Sequence, residues 1–323
     1  MTDRVVADGL RGRSGASFFA DEALIEAANV ALALEVPLLL TGDPGCGKTD
    51  FAFAVARQWA GNAKDWDPDG EADGLLQAYI RSDTTAKDLL YHYDSLRRFG
   101  QAQHGDQTEK AEAQDARRFV DLMALGLALN SRTRRVLLLD EVDKAPRDLP
   151  NDLLRELDQG RFTIPEIPLD AHERYGHVAH LPKREMGFGK REDGAPKKPF
   201  IIVTSNQERQ LPNAFLRRCA FCHLELPDDA QLKKILNSRF SKKISNSEAD
   251  RLIHTFGELR RRPGLTKPPG TSELIAWVRA LVEVLPNEKR KAAIAFDPKK
   301  DAWKNLPGRM TLLKLPEDER KLT

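Results

Sequence analysis

The chain has 323 residues, of which 51 are basic and 49 are acidic, so its formal net charge is +2. Hydrophobic residues make up 41% and charged residues 31%, and no stretch approaches the roughly 18 apolar residues that a membrane span requires. These numbers argue against a membrane-spanning protein, and the near balance of charge leaves no overall field for nucleic acid or an anionic membrane. A chain of this length exceeds what one core accommodates, so we expect a large domain and a smaller one.

The amino terminus, residues 1–8, contains acidic residues and no sustained apolar run, which argues against a signal peptide and predicts a cytoplasmic location. Local basic runs occur at Arg132, Arg134 and Arg135 and at residues 260–262. Short basic runs on a chain of mixed charge are far more often solvated surface than a binding patch. Nucleic acid is therefore disfavoured as a partner.

The first part of the chain alternates between helical and strand patterns. Residues 21–34 have helical periodicity with an acidic start, which predicts an amphipathic helix. Short apolar runs follow at residues 37–40, 136–139 and 200–203, with a weaker run at 75–80, and such runs are typical of strands buried on both faces. Helical stretches separate them, so the sequence predicts an α/β fold with a parallel sheet flanked by helices.

Beyond residue 227 the pattern is helical. Three segments have helical periodicity: residues 230–240, 252–259 and 274–282. We therefore expect a small all-helical domain over residues 227–284 after a large α/β domain over residues 1–226. Residues 285–323 are rich in lysine, proline and aspartate with few apolar anchors, and we expect them to form a docked or partly mobile tail.

Two long polar stretches interrupt the large domain, at residues 95–117 and 170–199. Loops of this length inside a compact domain tend to be functional or disordered. The second stretch contains His172, His177 and His180. Their irregular spacing, with no cysteine or carboxylate cluster nearby, argues against a metal site.

A glycine-rich loop follows the first apolar run. Residues 42–49 match G-x-x-x-x-G-K-[ST] and precede an alanine-rich helical stretch, residues 51–60, which is the context that a phosphate-binding loop requires. The glycines let backbone N–H groups converge on phosphates at a helix N-terminus. Lys48 would supply charge for the β- and γ-phosphates, and the Thr49 hydroxyl would bind Mg²⁺. The predicted nucleotide-binding residues are Gly42, Asp43, Pro44, Gly45, Cys46, Gly47, Lys48, Thr49 and Asp50.

Polar residues follow the next two strong apolar runs. Asp140 and Glu141 come directly after residues 136–139, and alternation along a strand would point the two carboxylates in different directions. Asp140 is predicted to hold Mg²⁺ through its water shell, and Glu141 to orient and polarise the water that attacks the γ-phosphate. Ser205 and Asn206 follow the later run, and the asparagine amide can hydrogen-bond that water and the γ-phosphate. Together these residues predict hydrolysis of a nucleoside triphosphate.

The three cysteines are an odd number in a chain this long, so we expect free thiols. Cys46 lies in the phosphate loop, where the following helix would lower its pKa and allow redox sensitivity, although a small residue filling a tight turn is the simpler interpretation. Cys219 and Cys222 lack the second pair that a tetrahedral zinc site requires. Alternation over residues 220–226 predicts the last strand of the sheet, with Cys222 facing the core.

With these motifs in place, the chain resembles an AAA+ ATPase of the MoxR branch over most of residues 20–284. Besides the phosphate loop and Asn206, the resemblance rests on four phrases: residues 140–146 (DEVDKAP), 153–157 (LLREL), 161–165 (RFTIP) and 211–218 (LPNAFLRR). It implies a P-loop AAA+ core with a helical lid, ATP and Mg²⁺ as ligands, and a homo-oligomeric ring with six subunits the expected number. It also implies that residues 82–90 precede an insert at 95–117 and that 170–199 is a second insert. Both inserts would face the pore of the ring.

The resemblance implies one catalytic residue that the motifs alone do not. In such proteins an arginine after the sensor asparagine reaches the nucleotide of the neighbouring subunit, and Arg218 matches that position best, with Arg217 as the alternative. The predicted catalytic residues are Lys48, Glu141, Asn206 and Arg218. One departure concerns the lid, because the family often carries an arginine near the start of the last lid helix. The matching stretch, residues 270–275, has none, and Arg279 further along is the substitute that the sequence offers.

The resemblance favours a remodeller or maturation factor that acts on a protein partner, either a client or a protein with a von Willebrand factor A domain. A second hypothesis is an ATP-gated assembly scaffold with slow hydrolysis, which the missing lid arginine favours slightly. A nucleic-acid motor is the third, and it would require a basic stripe along the pore.

Overall fold

The computed structural model describes residues 4–62, 74–131, 133–176, 180–187 and 198–322. The chain divides into two compact units. The first unit is formed by Met1–Val5, Glu26–Leu40 and Val55–Phe221. The second unit is formed by Val6–Ile25, Thr41–Ala54 and Cys222–Thr323. Each unit thus combines segments that lie far apart in the sequence.

Helices and strands alternate through the first two thirds of the chain. In the described residues the strands are β1 (Leu38–Thr41), β2 (Leu75–Tyr79), β3 (Tyr91–Tyr93), β4 (Val120–Leu122), β5 (Val136–Asp140), β6 (Arg161–Thr163), β7 (Glu185–Gly187), β8 (Phe200–Ser205) and β9 (Ala220–His223). The helices are α1 (Glu22–Leu34), α2 (Lys48–Asn62), α3 (Ala86–Leu90), α4 (Ser95–His104), α5 (Gln107–Glu112), α6 (Ala124–Asn130), α7 (Leu149–Gln159), α8 (Ala171–Tyr175), α9 (Asn213–Leu216), α10 (Asp229–Phe240), α11 (Asn246–Arg260), α12 (Thr271–Arg279), α13 (Asn287–Ala295) and α14 (Pro316–Arg320).

Five strands form the main sheet, in the order β2-β5-β8-β1-β9. β5 pairs in parallel with β2 and with β8, so that Val136 lies opposite both Leu75 and Phe200. Every residue of β1, β5 and β8 is buried, as expected for continuous apolar runs covered on both faces. This parallel sheet flanked by helices confirms the predicted fold class.

The core of the first unit is made of apolar side chains from β2, β5 and β8 and from the helices that pack on them. Among its fully buried members are Leu125, Leu129, Leu137, Leu139, Leu153 and Val203. Burial of one such side chain stabilises the fold by about 1.5–3 kcal/mol. In the described residues, two further antiparallel sheets of two strands each, β3-β4 and β6-β7, are separate from the main sheet.

The polar stretch at residues 95–117 is mostly helical, and the prediction of a long loop was wrong. It contains α4 and α5, and a short 3-10 helix, Ala116–Phe119, begins at its end. Asp94, Asp106 and Asp115 each accept a backbone N–H from the helix that follows, and such caps start helices. Neither α4 nor α5 buries a residue, so no apolar stripe in the sequence marks them.

The second polar stretch, residues 170–199, contains α8 and β7. Residues 177–179 and 188–197 of this stretch lie outside the described residues. That the two stretches are inserts facing a ring pore stays a prediction.

A buried ion pair links these two stretches. Arg117 is 1% exposed and binds Asp115 through two nitrogens, with its Nη2 2.8 Å from the carboxylate. It also donates to the carbonyl oxygen of Gly176 at 2.9 Å. Burial by itself raises the pKa of Asp115, but the hydrogen bonds and charge of Arg117 outweigh burial and leave that pKa lowered.

The core of the second unit is helical. Buried side chains from α10, α11 and α12 pack with others from residues 285–322, including Leu236, Leu259, Trp277, Phe296, Trp303 and Leu312. The rings of Phe296 and Trp303 lie 5.2 Å apart. The segment after residue 284 thus contributes to this core, while the boundaries at residues 226 and 284 stay predictions. In the described ranges, none of the helices combines the length and apolar character that a bilayer crossing demands.

We expect Asp115→Ala to lower the free energy of unfolding by about 3–5 kcal/mol, because Arg117 would keep a buried charge without its carboxylate. Urea unfolding at pH 7 measures the loss. The matched control is Arg118→Ala, which removes an exposed ion pair with Glu112 and should cost about 1 kcal/mol or less.

The same pair predicts a pH dependence. Because the folded-state pKa of Asp115 is lowered, its contribution is complete above the unfolded-state pKa of about 3.9 and is lost as the pH falls through the folded-state value. The stability difference between the wild type and Asp115→Ala should therefore shrink below about pH 4. A difference that stays constant down to pH 2.5 would contradict this account.

Candidate functional site

The phosphate-loop motif connects β1 to α2. Gly42, Gly45 and Gly47 have φ angles of 140°, 83° and 105°, in the region that residues with a Cβ rarely occupy. A Cβ on Gly42 would lie 2.3 Å from the carbonyl oxygen of Leu224. Positive φ angles in such a loop turn successive N–H groups toward one side and make an anion-binding concavity. The loop therefore has the backbone geometry that a phosphate site needs.

Lys48 is the first residue of α2, and it is 6% exposed. Its ammonium group donates to the carbonyl oxygen of Gly42 at 2.6 Å and to that of Asp43 at 3.1 Å. The positive charge is thereby held against the loop, at the N-terminus of a helix. Charge and helix end both favour an anion at this place.

The N-terminal segment of the second unit packs against the start of α2, which the sequence analysis missed. Asp50 accepts the backbone N–H of Arg13 at 3.3 Å and lies 3.6 Å from the guanidinium of Arg239 in α10. The ring of Phe18 lies 5.8 Å from that of Phe51. Asp50, which the sequence predicted at the nucleotide, thus connects α2 with the N-terminal segment and with α10. No local sequence pattern could have predicted these partners.

An arginine of α11 contacts the phosphate loop within the second unit. Arg260, the last residue of α11, donates to the carbonyl oxygen of Pro269 at 2.7 Å and lies 3.3 Å from the carboxylate of Asp43. A cleft of about 150 Å³ opens beside this pair, and Lys267 and Lys314 also line it. Three cations therefore gather next to the loop, one of them from the segment after residue 284.

Arg279 does not lie at the phosphate loop. The first turn of α12 is the part that packs on the loop, since a Cβ on Gly45 would lie 3.0 Å from the Ser272 hydroxyl. Arg279 is seven residues further, or about 10 Å along the helix axis. It is exposed, and its charge acts on Glu283. Arg260 is therefore the arginine of the helical unit that lies at the phosphate loop.

In the first unit, a threonine joins the ends of β5 and β8. The Thr204 hydroxyl donates to Asp140 Oδ1 at 2.6 Å and accepts the backbone N–H of Glu141 at 2.9 Å. Gln77 of β2 lies 3.5 Å from the other carboxylate oxygen of Asp140. Asp140 is buried, so these contacts fix its orientation. Sequence analysis missed Thr204, although a hydroxyl at the end of a buried apolar run was a usable signal.

Glu141 lies just beyond the strand and has a different partner from Asp140. β5 ends at Asp140, and Glu141 has a left-handed φ of 62°, so strand alternation does not continue through Glu141. The Glu141 carboxylate accepts a hydrogen bond from Lys144 at 2.6 Å, and this bond is the main reason that the pKa of Lys144 is raised. Both side chains are about two fifths exposed, at 39% and 44%, so the pair can open at little cost.

Asn206 follows β8 in a turn that a carboxylate holds. Its backbone N–H donates to Asp143 Oδ2 at 3.1 Å, and the N–H of Glu208 donates to the same oxygen at 3.0 Å. Asp143 is 2% exposed and lies two residues after Glu141. The loops that carry Glu141 and Asn206 are therefore in direct contact.

The two arginines considered for the neighbouring site lie on the surface after α9. Arg217 is exposed, and the side chain of Arg218 is 47% exposed. Arg218 donates to the carbonyl oxygen of Ala214 and lies 3.2 Å from the carboxylate of Asp158. In the described part of the chain, neither arginine has a hydrogen bond or ion pair with Glu141 or Asn206, and the choice between the two stays a prediction.

All three cysteines are free thiols, as predicted. Burial raises the pKa of Cys46 and outweighs the opposing charge of Lys48, so the lowered pKa considered from the sequence is wrong. Burial also raises the pKa of Cys219, to about 12. Cys222 and Leu224 are buried while the residues between and beside them are exposed, which confirms that Cys222 faces the core. The strand ends at His223, before the predicted residue 226, and Leu226 is only half-buried.

Protein side chains alone do not make a metal site in the described part of the chain, where no group of three or more histidine, cysteine, aspartate or glutamate residues could hold an ion. His172 and His180 are exposed, and His177 lies outside the described residues. A Mg²⁺ ion bound to a nucleotide needs no such cluster, because it keeps waters and takes phosphate oxygens with one or two protein oxygens. The Thr49 hydroxyl in the second unit and the Asp140 carboxylate in the first unit are each an oxygen donor of this kind.

Comparison with known proteins identifies the family. The profile of the AAA domain family (dynein-related subfamily) matches residues 37–219, which is more than half of the chain. No curated protein matches the chain significantly. The matched range contains the phosphate loop, the carboxylates after β5 and the asparagine after β8. The chain therefore belongs to the AAA domain family, dynein-related subfamily, and is an ATP-hydrolysing enzyme.

Proposed function

We propose that this ATPase is a MoxR-like member that forms a homo-oligomeric ring of six subunits and remodels or matures a protein partner. The observation that carries the proposal is that the first unit holds Glu141 and Asn206 close together but leaves Arg218 exposed elsewhere. Glu141 and Asn206 are held in adjacent loops through Asp143, whereas Arg218 lies exposed on the surface. An arginine placed in this way can serve the site of a neighbouring copy, and AAA+ domains commonly form rings.

We assign the steps of hydrolysis to residues as follows. Lys48 would bind the β- and γ-phosphates. Thr49 and Asp140 would each offer an oxygen ligand to Mg²⁺, which would neutralise phosphate charge. Glu141 polarises the attacking water once it leaves Lys144. Asn206 donates its amide to the γ-phosphate and accepts from the same water.

The partner is proposed to be a protein with a von Willebrand factor A domain or a client presented by it. The resemblance of residues 140–146 and 161–165 to the MoxR branch supports this choice. We also propose a cytoplasmic location, in keeping with three free thiols.

We expect Glu141→Gln to lower turnover at least 100-fold, a loss typical of removing a general base, while ATP still binds with affinity near that of the wild type. Phosphate release and binding of a fluorescent ATP analogue measure the two properties. Lys48→Ala is the comparison, because it should lose binding as well as turnover. Wild-type turnover in Glu141→Gln would show that the assignment of roles is wrong.

We expect Arg218→Ala to lower turnover about 1000-fold, the order of effect of a transition-state arginine, with ATP affinity changed less than twofold. Arg217→Ala is the matched control and should keep most of the activity. Both variants remove one exposed cation from the same short segment.

A mixing experiment tests whether the arginine acts in a neighbouring subunit. Arg218→Ala has an intact phosphate loop, and Lys48→Ala has an intact Arg218, so an equimolar mixture should regain turnover that neither variant has alone. A mixture as inactive as its components, under conditions where both assemble, would rule out a shared site.

The lid contribution is assigned to Arg260 because it already reaches the phosphate loop at Asp43. We expect Arg260→Ala to weaken ATP binding about tenfold and ADP binding much less, since a charge-assisted hydrogen bond to the terminal phosphate would be lost. Arg279→Ala is the matched control and should change neither. Titration of each variant with both nucleotides checks this, and equal losses for ATP and ADP would contradict it.

An ATP-gated scaffold with slow hydrolysis is the second candidate. Two observations favour it: residues 270–275 lack an arginine, and the Glu141 carboxylate is paired with Lys144. Turnover measured with and without the von Willebrand A-domain partner discriminates, because a remodeller is stimulated by its partner and a scaffold is not.

A nucleic-acid motor has less support, because arginines of the basic runs have partners of their own. Arg134 pairs with Glu35, and Arg261 pairs with Glu258. Arg132 lies outside the described residues. If added DNA or RNA changes neither turnover nor oligomeric state, this function is excluded.

A further inference from the structure

The turn after β8 has a feature that the roles assigned so far do not use. Gln207 has a left-handed φ of 61°, which is uncommon for a residue other than glycine. The N–H groups of its two neighbours, Asn206 and Glu208, converge on one carboxylate oxygen of Asp143 at 3.1 and 3.0 Å. A left-handed residue between helical or extended ones turns flanking N–H groups to the same side and creates a small anion site. Asp143 fills that site.

Asp143 belongs to the other loop. It lies in the 3-10 helix Val142–Lys144, directly after Glu141. β5 and β8 are paired in parallel, with Leu139 opposite Val203, so the two loops leave neighbouring strands at the same edge of the sheet. The carboxylate therefore sets the position of the Asn206 turn relative to the backbone that carries Glu141.

The burial of Asp143 is not explained by stability alone. Its side chain is 2% exposed, and within the described residues Oδ1 has no hydrogen-bond partner. A buried carboxylate oxygen without a partner is unfavourable. The two N–H groups on Oδ2 would be satisfied equally by the oxygen of an uncharged amide. A costly group that holds two functional loops together is common where geometry matters for chemistry.

We infer that Asp143 is a positioning residue for hydrolysis. It holds the turn of Asn206 so that the asparagine amide and the Glu141 carboxylate contact the same water. This inference rests on the proposed roles of Glu141 and Asn206. Asp143 itself touches neither nucleotide nor water in this scheme. It acts through the backbone of the turn, where a displacement of about 1 Å would cost about 100-fold in rate.

The test compares Asp143→Ala with Asp143→Asn. The alanine variant removes the acceptor, so turnover should fall about 100-fold while the affinity for ATP changes less than twofold. The asparagine variant keeps an oxygen that can accept both N–H groups and should retain at least a third of wild-type turnover, a rise of about 0.65 kcal/mol or less in the barrier. Asp94→Ala removes a comparable bond to a backbone N–H, at the start of α4, and should leave turnover unchanged.

Hydrogen exchange at the amides of Asn206 and Glu208 gives a readout that does not depend on catalysis. Exchange at these two amides should be at least tenfold faster in Asp143→Ala and near the wild-type rate in Asp143→Asn. Asp143→Ser, whose shorter side chain cannot reach both N–H groups, replaces the alanine variant if that variant does not fold.

The outcomes are distinct. Unchanged exchange at both amides, or equal turnover losses in the alanine and asparagine variants, would overturn the inference. A loss of ATP affinity in step with turnover would also overturn it, since that indicates general damage to the fold. If Glu141→Gln kept wild-type turnover, the proposed function would be refuted instead. The exchange rates would still decide whether Asp143 holds the turn.

Discussion

The arrangement of Asp140 and Glu141 in the first unit depends on the two hydrogen bonds of the Thr204 hydroxyl. This hydroxyl lies at the end of β8 and donates to Asp140 at the end of β5, while it accepts the N–H of Glu141. A parallel strand pair brings both carboxyl ends to one edge of the sheet, but pairing alone does not determine how the chain leaves the strands. Thr204 does, because it binds the last side chain of β5 and the first backbone group after it.

The backbone beyond each strand then turns through left-handed conformations. Glu141 and Gln207 have φ angles of 62° and 61°, which cost about 1–2 kcal/mol each for residues with a Cβ. Hydrogen bonds that backbone N–H groups donate to Thr204 and to Asp143 offset that cost at both places. The phosphate loop also has positive φ angles, but they fall at Gly42, Gly45 and Gly47. Glycine has no Cβ, so the positive φ costs little there. The turns after β5 and β8 and the glycine loop after β1 all place polar groups outside the strands, which stay largely apolar and buried.

The charges at these loops are partnered within their own unit. In the second unit, Lys48 is bound to loop carbonyl oxygens and Arg260 to Asp43, and in the first unit Lys144 is bound to Glu141. Each cation can therefore exchange a weak partner for a stronger anion, since surface ion pairs contribute little and phosphate is a better acceptor. Chemistry that depends on such exchanges responds to the nucleotide that is bound.

The sequence by itself determined the sheet strands, the phosphate loop, the two carboxylates and the asparagine. These features are local, because continuous apolar runs predict buried strands, and the residues that follow them are adjacent in the chain. It did not reveal α4 and α5, which bury no residue. It offered Phe296 and Trp303 as anchors of a docked tail, but not that they pack in the core of the helical unit. Only the tertiary structure decided that Arg260 and not Arg279 meets the phosphate loop, and that Thr204 and Asp143 join the two loops. These contacts link residues some 60 to more than 200 positions apart, and packing brings such residues together through the whole fold, which no local pattern encodes.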